Sequence, residues 1–274
     1  MDMSLIITTY NWPDALRLTL YTVCRQSIKP DEVIVADDGS GPETAKAVKD
    51  VLGPSGLVWS HVRHCDKGVR QSRIKNLAIK YSQTQYLILI DHDVLLHPYF
   101  IADHMAMAQE GVFLQGKRVL ISKYLTESYL ADISFSPPSL FSRGLNNRKN
   151  ALRFPALGKL LSRPKRFQTS LRGCNLSMFK EDFLRVDGFD ETFDGSWGRE
   201  DSDICYRLFH NGVKVKNLWF SALQYHLEHK LIIEKDMLNK LDDELNRVRE
   251  EKRTRAIKGF SALSPEGEIV EASD

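Results

Sequence analysis

The strongest constraint on this chain is an alternation in its first 110 residues, where four short apolar, β-branched runs are separated by segments of helical period. The runs are "SLIITTY" (4–10), "DEVIVADDGS" (31–40), "LVWSHVRH" (57–64) and "YLILI" (86–90). Each reads as a buried strand. Between them, "DALRLTLYTVCRQ" carries Leu16, Leu20 and Val23 at helical spacing, with Pro13 placed for a first helical turn. "PETAKAVKDVL" reads as a second helix, and "GVRQSRIKNLAIKYS" as a third with Ile74, Leu77, Ala78 and Tyr81 on one face. Strand–helix alternation with short connections predicts an α/β fold, a mainly parallel sheet flanked by helices.

In such sheets ligands bind outside the carboxyl ends of the strands. Asp37 and Asp38 close the second run, and Asp91 and Asp93 follow the fourth, so four acids are expected at one sheet edge. Carboxylates are costly to bury unless something pairs with them. Two of them at i and i+2 can reach one hard cation, Mg²⁺ or Mn²⁺, which leaves positions for phosphate oxygens. A helix cap or surface turn is the alternative. Asp37 and Asp38 suit ribose hydroxyls or a base edge, or else a plain Asp-Gly turn.

Composition narrows the classes. The 274 residues are 42% hydrophobic and 27% charged, ordinary for one large α/β domain, and a net charge of +2 makes no case for nucleic acid. Cys24, Cys65, Cys174 and Cys205 form no C-x-x-C pair and match no zinc spacing, which points to a reducing compartment without a disulfide framework. The N-terminus has no basic region ahead of its apolar run, and no stretch approaches the roughly 18 apolar residues of a membrane span. The expected location is the cytoplasm, at most peripheral on the inner face of the membrane.

The second half differs. Residues 137–172 hold nine Lys or Arg and no acid, interleaved with Leu152, Phe154, Leu157, Leu160 and Leu161. This basic insertion, expected to be partly mobile, reads as a contact to anionic lipid or a lipid-linked acceptor, as a lid over phosphates, or as solvated surface. "LRGCNLSMFKEDFLRVDGFDE" reads as strand, helix and turn. "GSWGREDSDICYRLFHNG" sets Glu200, Asp201 and Asp203 behind a Gly-flanked Trp197. A carboxylate there suits a general base, or the acids simply complement a helix dipole. "YHLEH" places His226 and His229 three residues apart, suited to a metal or to structure. Residues 234–258 alternate in charge like a solvated helix, and the tail "SPEGEIVEASD" is expected to be disordered.

Taken in order, "SLIITTYNWPDALRLTL", "DEVIVADDGS", "YLILIDHDVLLHP", "RGCNLSMFKEDFLRVDGFDE" and "GSWGREDSDICYRLFHNGVKV" resemble family 2 glycosyltransferases of the GT-A fold. The last two segments also resemble the C-terminal module of galactosyl- and N-acetylgalactosaminyltransferases, with its W-G-x-E-D-x-D pattern. The resemblance covers roughly residues 3–229. It implies a GT-A domain over 1–232, with a nucleotide-sugar-binding half (1–110) and an acceptor and catalytic half (111–232), followed by a charged helix and tail (233–274). It implies transfer of a sugar from a nucleotide-sugar, commonly a UDP-sugar, to an acceptor hydroxyl with inversion.

The resemblance also implies roles. Thr8, Tyr10 and Asp38 would line the nucleoside pocket, supported by Asp37. Arg73 matches an arginine near the nucleotide, although many members have Asn directly after it, and here Ile74 intervenes before Asn76. Asp91, with His92 beside it, would contact the nucleotide-sugar. Asp91 and Asp93 match the D-x-D site for Mn²⁺ or Mg²⁺, completed by a later histidine, His229 in preference to His226. Trp197 would shape donor and acceptor sites, Asp201 would be the base, and Glu200 would hold sugar hydroxyls. The implied partners are a UDP-sugar and a glycan or lipid-linked glycan of a cell-surface precursor. Three rivals have weaker support. A nucleotidyltransferase would carry a Gly-rich, basic loop where "TTYNWPDAL" stands. A processive synthase would carry membrane helices and Q-x-x-R-W. An inactive binding relative would have no need of Asp91, Asp93, Glu200 and Asp201.

Overall fold

The computed structural model describes residues 1–133, 135–230, 235–264 and 269–273. The elements in chain order are β1 (Met3–Thr9), α1 (Pro13–Val23), β2 (Glu32–Asp37), α2 (Pro42–Leu52), β3 (Trp59–Arg63), α3 (Gln71–Tyr81), β4 (Tyr86–Asp91), β5 (Val94–Leu96), α4 (Phe100–Met107) and β6 (Val112–Gln115). There follow β7 (Arg118–Leu120), α5 (Lys123–Ala131), α6 (Pro155–Leu161), β8 (Asn175–Phe179), α7 (Lys180–Arg185), α8 (Glu200–His210), β9 (Lys214–Asn217), β10 (Gln224–His226), α9 (Lys235–Glu250) and β11 (Ile269–Ala272).

The main sheet runs β11-β3-β2-β1-β4-β8-β6-β9. Its β3-β2-β1-β4 centre is parallel, while β8 lies antiparallel to both β4 and β6, so the sheet is mixed. The chain departs from β1 in one direction to β2 and β3 and in the other to β4. That reversal opens a crevice at the carboxyl ends of β1 and β4. Register places Thr8 beside Asp91 and Thr9 beside Asp37. A smaller sheet, β5-β10-β7, stands over that edge.

Both faces of the central strands are covered, which is why their sequences are nearly continuous apolar runs. Leu5, Ile7, Val35, Ile88 and Ile90 pack with Leu16 and Leu20 of α1 and Val48 of α2. The alternate residues Ile6, Ile34, Leu87 and Leu89 pack with Ile74 and Leu77 of α3 and Ile204 and Leu208 of α8. The period-2 alternation of strand side chains divides the core in this way.

The basic stretch meets the body: Phe154 N donates to Phe220 O at 2.8 Å, and Lys165 exchanges two backbone hydrogen bonds with Val215 of β9. Two expectations from the sequence are revised. The charged C-terminal helix is not merely solvated, because its Leu241 and Val248 are buried in the core on the α3 and α8 side. The following segment also returns to the body, with Ile257 N and Lys258 N donating to the Asp190 carboxylate. Part of the tail expected to be disordered forms β11, antiparallel to β3, because the exposed edge of β3 offers unpaired backbone groups. The domain boundary expected at residue 232 falls outside the described residues. Among the described residues no helix is long and apolar enough to cross a membrane.

One buried ion pair secures the α8 side of the core. Arg207 Nε lies 3.1 Å from Asp203 Oδ1, and Arg207 Nη1 donates to the carbonyls of Val186 (2.6 Å) and Gly188 (2.8 Å). Both side chains are fully buried. Removing one partner would leave an uncompensated buried charge, so Arg207→Ala is expected to cost about 3–5 kcal/mol. Urea unfolding measures this, and a loss under about 1 kcal/mol would show that the helix tolerates an unpaired Asp203.

Candidate active site

The cleft at the β1–β4 edge has a volume of about 620 Å³, within the usual range for small-molecule sites. Its donor side begins with the turn after β4. His92 Nδ1 faces the Thr8 carbonyl at 3.2 Å and so must donate, which leaves Nε2 as the unprotonated, buried nitrogen, without a partner among the described residues. Burial holds the His92 imidazole below its usual pKa.

Asp93 is 5% exposed. Its Oδ2 lies 2.8 Å from His229 Nε2 and 3.3 Å from His226 Nε2. Burial raises the Asp93 carboxyl, but the His229 hydrogen bond and the nearby imidazoles outweigh it and hold the group down at about 2. The Asp93 bond conversely raises His229, whereas burial lowers His226. The two rings stack 5.3 Å apart, and the edge of Trp12 closes on His229 at 5.7 Å.

The histidines arrive from a distant part of the chain because β10 pairs with β5. His226 sits opposite Val94, and Leu227 N donates to Asp93 O at 2.9 Å. One ligand atom each from Asp93, His226 and His229 lies within 4.8 Å of the others. The carboxylate and imidazole set suits a divalent cation such as Mn²⁺, and the buried Asp93 Oδ1, without a partner among the described residues, is an acceptor that a cation would satisfy. The residues therefore fit a divalent metal. Asp91 lines the same cleft but stands outside that three-residue cluster. Burial and the Asp93 charge push it up to about 7.

The loop before α8 and the start of that helix supply a further part of the lining. Arg199 caps the helix in a left-handed conformation (φ 81°), strain that other contacts must hold. Its guanidinium grips Asp242 of α9 through two bonds, at 2.5 and 3.0 Å. Asp201 then accepts from Gly173 N and from Ser202 N, both at 2.6 Å. Position 173 must be glycine for this approach, since a Cβ there would fall 2.7 Å from the Asp201 Cβ. Burial and the neighbouring Glu200 raise the Asp201 carboxyl. Glu200 in turn meets Lys75 Nζ at 2.8 Å, both side chains 7% exposed. Burial lowers the Lys75 ammonium, but the charges of Glu200 and Asp91 more than offset this and leave it raised.

Thr8, Tyr10, Asp91, His92, Asp93, Trp197, Glu200, Asp201, His226 and His229 all line the cleft. The Tyr10 ring stands 6.3 Å from Trp197, and its hydroxyl donates to Asp66 at 3.1 Å. Three expected residues do not line it. Asp37 is committed to Ser40 N (2.8 Å) and His61 (2.9 Å); burial pushes its carboxyl up, but those bonds hold it below the usual range. Asp38 is likewise committed to His64 (2.6 Å) and Arg70 N (2.9 Å). The Arg73 guanidinium donates to Ser264 O at 2.7 Å and pairs with Glu191. Their side chains meet these partners rather than the open space of the cleft.

Sequence reading missed Lys75, Arg118, Arg172 and Trp12, which also line the cleft. For Lys75 a signal existed. It directly precedes Asn76, the cation–Asn order that Arg73 lacks, and Asn76 is buried with its amide bonded to Phe189 N and O. Arg118 and Arg172 carried no such pattern.

The sheet and its flanking helices form a GT-A fold. S. aureus TarS (residues 1–349) superposes with a TM-score of 0.60 at 16% identity over 89% of this chain and 64% of that one. The mannosyltransferase PcManGT of Pyrobaculum calidifontis, solved with GDP-Man and Mn²⁺, gives 0.58 at 17% identity over 83% of this chain and 57% of its own. The model of "Glycosyl transferase family 2" matches residues 4–167, and one described as "N-terminal domain of galactosyltransferase" matches residues 160–230.

The chain belongs to glycosyl transferase family 2. It is 28% identical to a chondroitin synthase of Escherichia coli over 82% of its length, and 28% identical to a validoxylamine A glucosyltransferase of Streptomyces hygroscopicus subsp. limoneus over 86%. It spans 34% and 55% of those relatives' lengths.

Asp93→Ala is expected to weaken Mn²⁺-dependent UDP binding by about tenfold or more, with metal-free binding unchanged. Isothermal titration with and without Mn²⁺ reads this. Equal loss in both conditions would mean that Asp93 shapes the pocket without meeting a cation.

Proposed function

We propose that this glycosyltransferase moves a hexose or N-acetylhexosamine from a UDP-sugar to a hydroxyl of a cell-surface glycan precursor, with inversion and with a divalent cation. One observation carries the reading: a single cleft brings together Asp91, the Asp93–His226–His229 cluster, Glu200 and Asp201. Relatives named chondroitin synthase and hyaluronan synthase support a glycan acceptor, and the named glucosyltransferase supports a hexose. Structures of S. aureus TarS with UDP and with UDP-GlcNAc support the nucleotide.

Asp93, His226 and His229, with Asp91 alongside, would hold the cation. When bound, it supplies positive charge against the developing charge of a departing nucleoside diphosphate. The chain's own residues do the rest. An acceptor hydroxyl is a poor nucleophile, so Asp201 takes its proton as the acceptor oxygen bonds to the anomeric carbon and the bond to the diphosphate breaks. Attack from the side opposite the leaving group inverts that carbon. The Gly173 and Ser202 N–H groups fix the Asp201 oxygens without a competing cation. Lys75 steadies Glu200 beside the sugar. Trp197 and Tyr10 cover the mouth and hold donor and acceptor in reacting order.

UDP release from a panel of UDP-sugars, with Mn²⁺ and then with chelator, tests the reading. Metal-dependent release from one sugar is expected, and Asp201→Asn should lower kcat by at least about 10²-fold while UDP affinity stays near wild type. Release unaffected by chelator, or an Asp201→Asn enzyme of normal turnover, would overturn it. The pH profile offers a second check. The base must be ionised, so activity rises as pH rises through its pKa. Because the Asp201 carboxyl is held up, the acid limb of kcat/KM should lie above the ordinary carboxylate range. A limb within that range would assign the base elsewhere.

A further inference from the structure

Helix α6 and the turn after it form a surface that the cleft does not use. Lys159, Arg163, Lys165 and Arg166 are all exposed, and none of them forms an ion pair among the described residues. Among the described residues, Arg153 is the one cation of the insertion in an ion pair, to Asp103 at 2.6 Å. Beside these cations stand Leu160 (66% exposed), Phe154 (56%) and Leu161 (51%). The helix is seated by its opposite side. Gly158 lies against the Trp219 carbonyl so closely that a Cβ would sit 2.2 Å from that oxygen, and Gly158 N donates to Phe154 O at 3.0 Å. With Gly158 inward, Leu160 falls on the outward face two residues round the helix, and Lys159 flanks it. Lys165 is held by its backbone on β9, the last strand of the main sheet, which leaves its side chain at the molecule's edge.

We propose that α6 and the following turn dock on an anionic membrane surface, with Phe154, Leu160 and Leu161 entering the headgroup boundary and the four cations meeting lipid phosphates. Charge complementarity selects an anionic partner, since residues 137–172 contain no acid to oppose it. The exposed apolar side chains select lipid over a soluble acidic polymer, which would pair the cations but leave the leucines in water. The position also serves the reaction. Arg172, six residues past Arg166, lines the cleft, so the docked turn lies within roughly 20 Å of the cleft wall by chain reach. An acceptor carried in the membrane could then enter while the chain stays attached.

Co-sedimentation with vesicles of phosphatidylglycerol and phosphatidylcholine tests this without any donor sugar, so its failure is separable from failure of the proposed transfer. The wild-type protein should bind mixed vesicles, ignore pure phosphatidylcholine, and weaken as salt rises. The triple variant Arg163→Gln, Lys165→Gln, Arg166→Gln should bind on the order of 100-fold more weakly. The pair Leu160→Ser, Leu161→Ser should lose about tenfold or more. Both variants should keep wild-type melting temperature and UDP release, because the altered side chains project into solvent. Two results would overturn the proposal. One is absence of wild-type binding to mixed vesicles. The other is a leucine variant that binds as wild type while dextran sulfate abolishes binding, which would assign the surface to a soluble polyanion.

Discussion

Four carboxylates, Asp91, Asp93, Glu200 and Asp201, share one cleft, and most of the surrounding structure exists to make that arrangement stable. Like charges held close in a low dielectric repel strongly. Each acid is answered differently. Glu200 has the Lys75 ammonium, Asp93 has two imidazoles, and Asp201 has two backbone N–H groups. Asp91 is the one whose carboxyl rises to about 7. Beside it, Asp93 Oδ1 is buried and has no partner among the described residues, an acceptor open to the cation proposed above.

Holding these groups in place requires elements far apart in the chain. The β10–β5 pairing puts His226 opposite Val94 and so beside Asp93. The close approach of Gly173 sets the Asp201 oxygens. The Arg199–Asp242 pair ties the strained residue at the head of α8 to α9. The C-terminal helix thus buttresses the loop that presents Glu200 and Asp201, as well as covering core residues. The buried Arg207–Asp203 pair secures the body of α8. Together these contacts fix α8, which suits the base role proposed for Asp201.

The first-half strands were legible in the sequence because each is buried on both faces, which forces a short, β-branched, nearly unbroken apolar run. Asp91, Asp93 and the Glu200–Asp201 pair were legible because charged groups abut such runs or follow a Gly-flanked Trp. Asp37, Asp38 and Arg73 stand outside the cleft lining for a physical reason. Position at a strand or helix end brings a residue to the correct edge, but not its side chain into the open space. There, His61, His64, Ser264 and backbone N–H groups had already claimed those side chains. Lys75 was overlooked because a lysine inside an amphipathic helix is ordinarily solvated. It takes the α3–α8 contact to bury it against Glu200. The C-terminal helix and tail were read as solvated and disordered because their charges dominate composition. Two buried side chains and an open sheet edge decided otherwise.

By itself the sequence determined the parallel α/β core, the edge at which ligands bind, and the acids that gather there, because periodicity and burial are properties of neighbouring residues. Only the tertiary structure decided which acid meets which cation, that both histidines converge on Asp93, and that α6 turns its leucines and cations outward together. Those outcomes depend on pairings between segments distant in the chain, whose energy comes from contacts that no local pattern encodes.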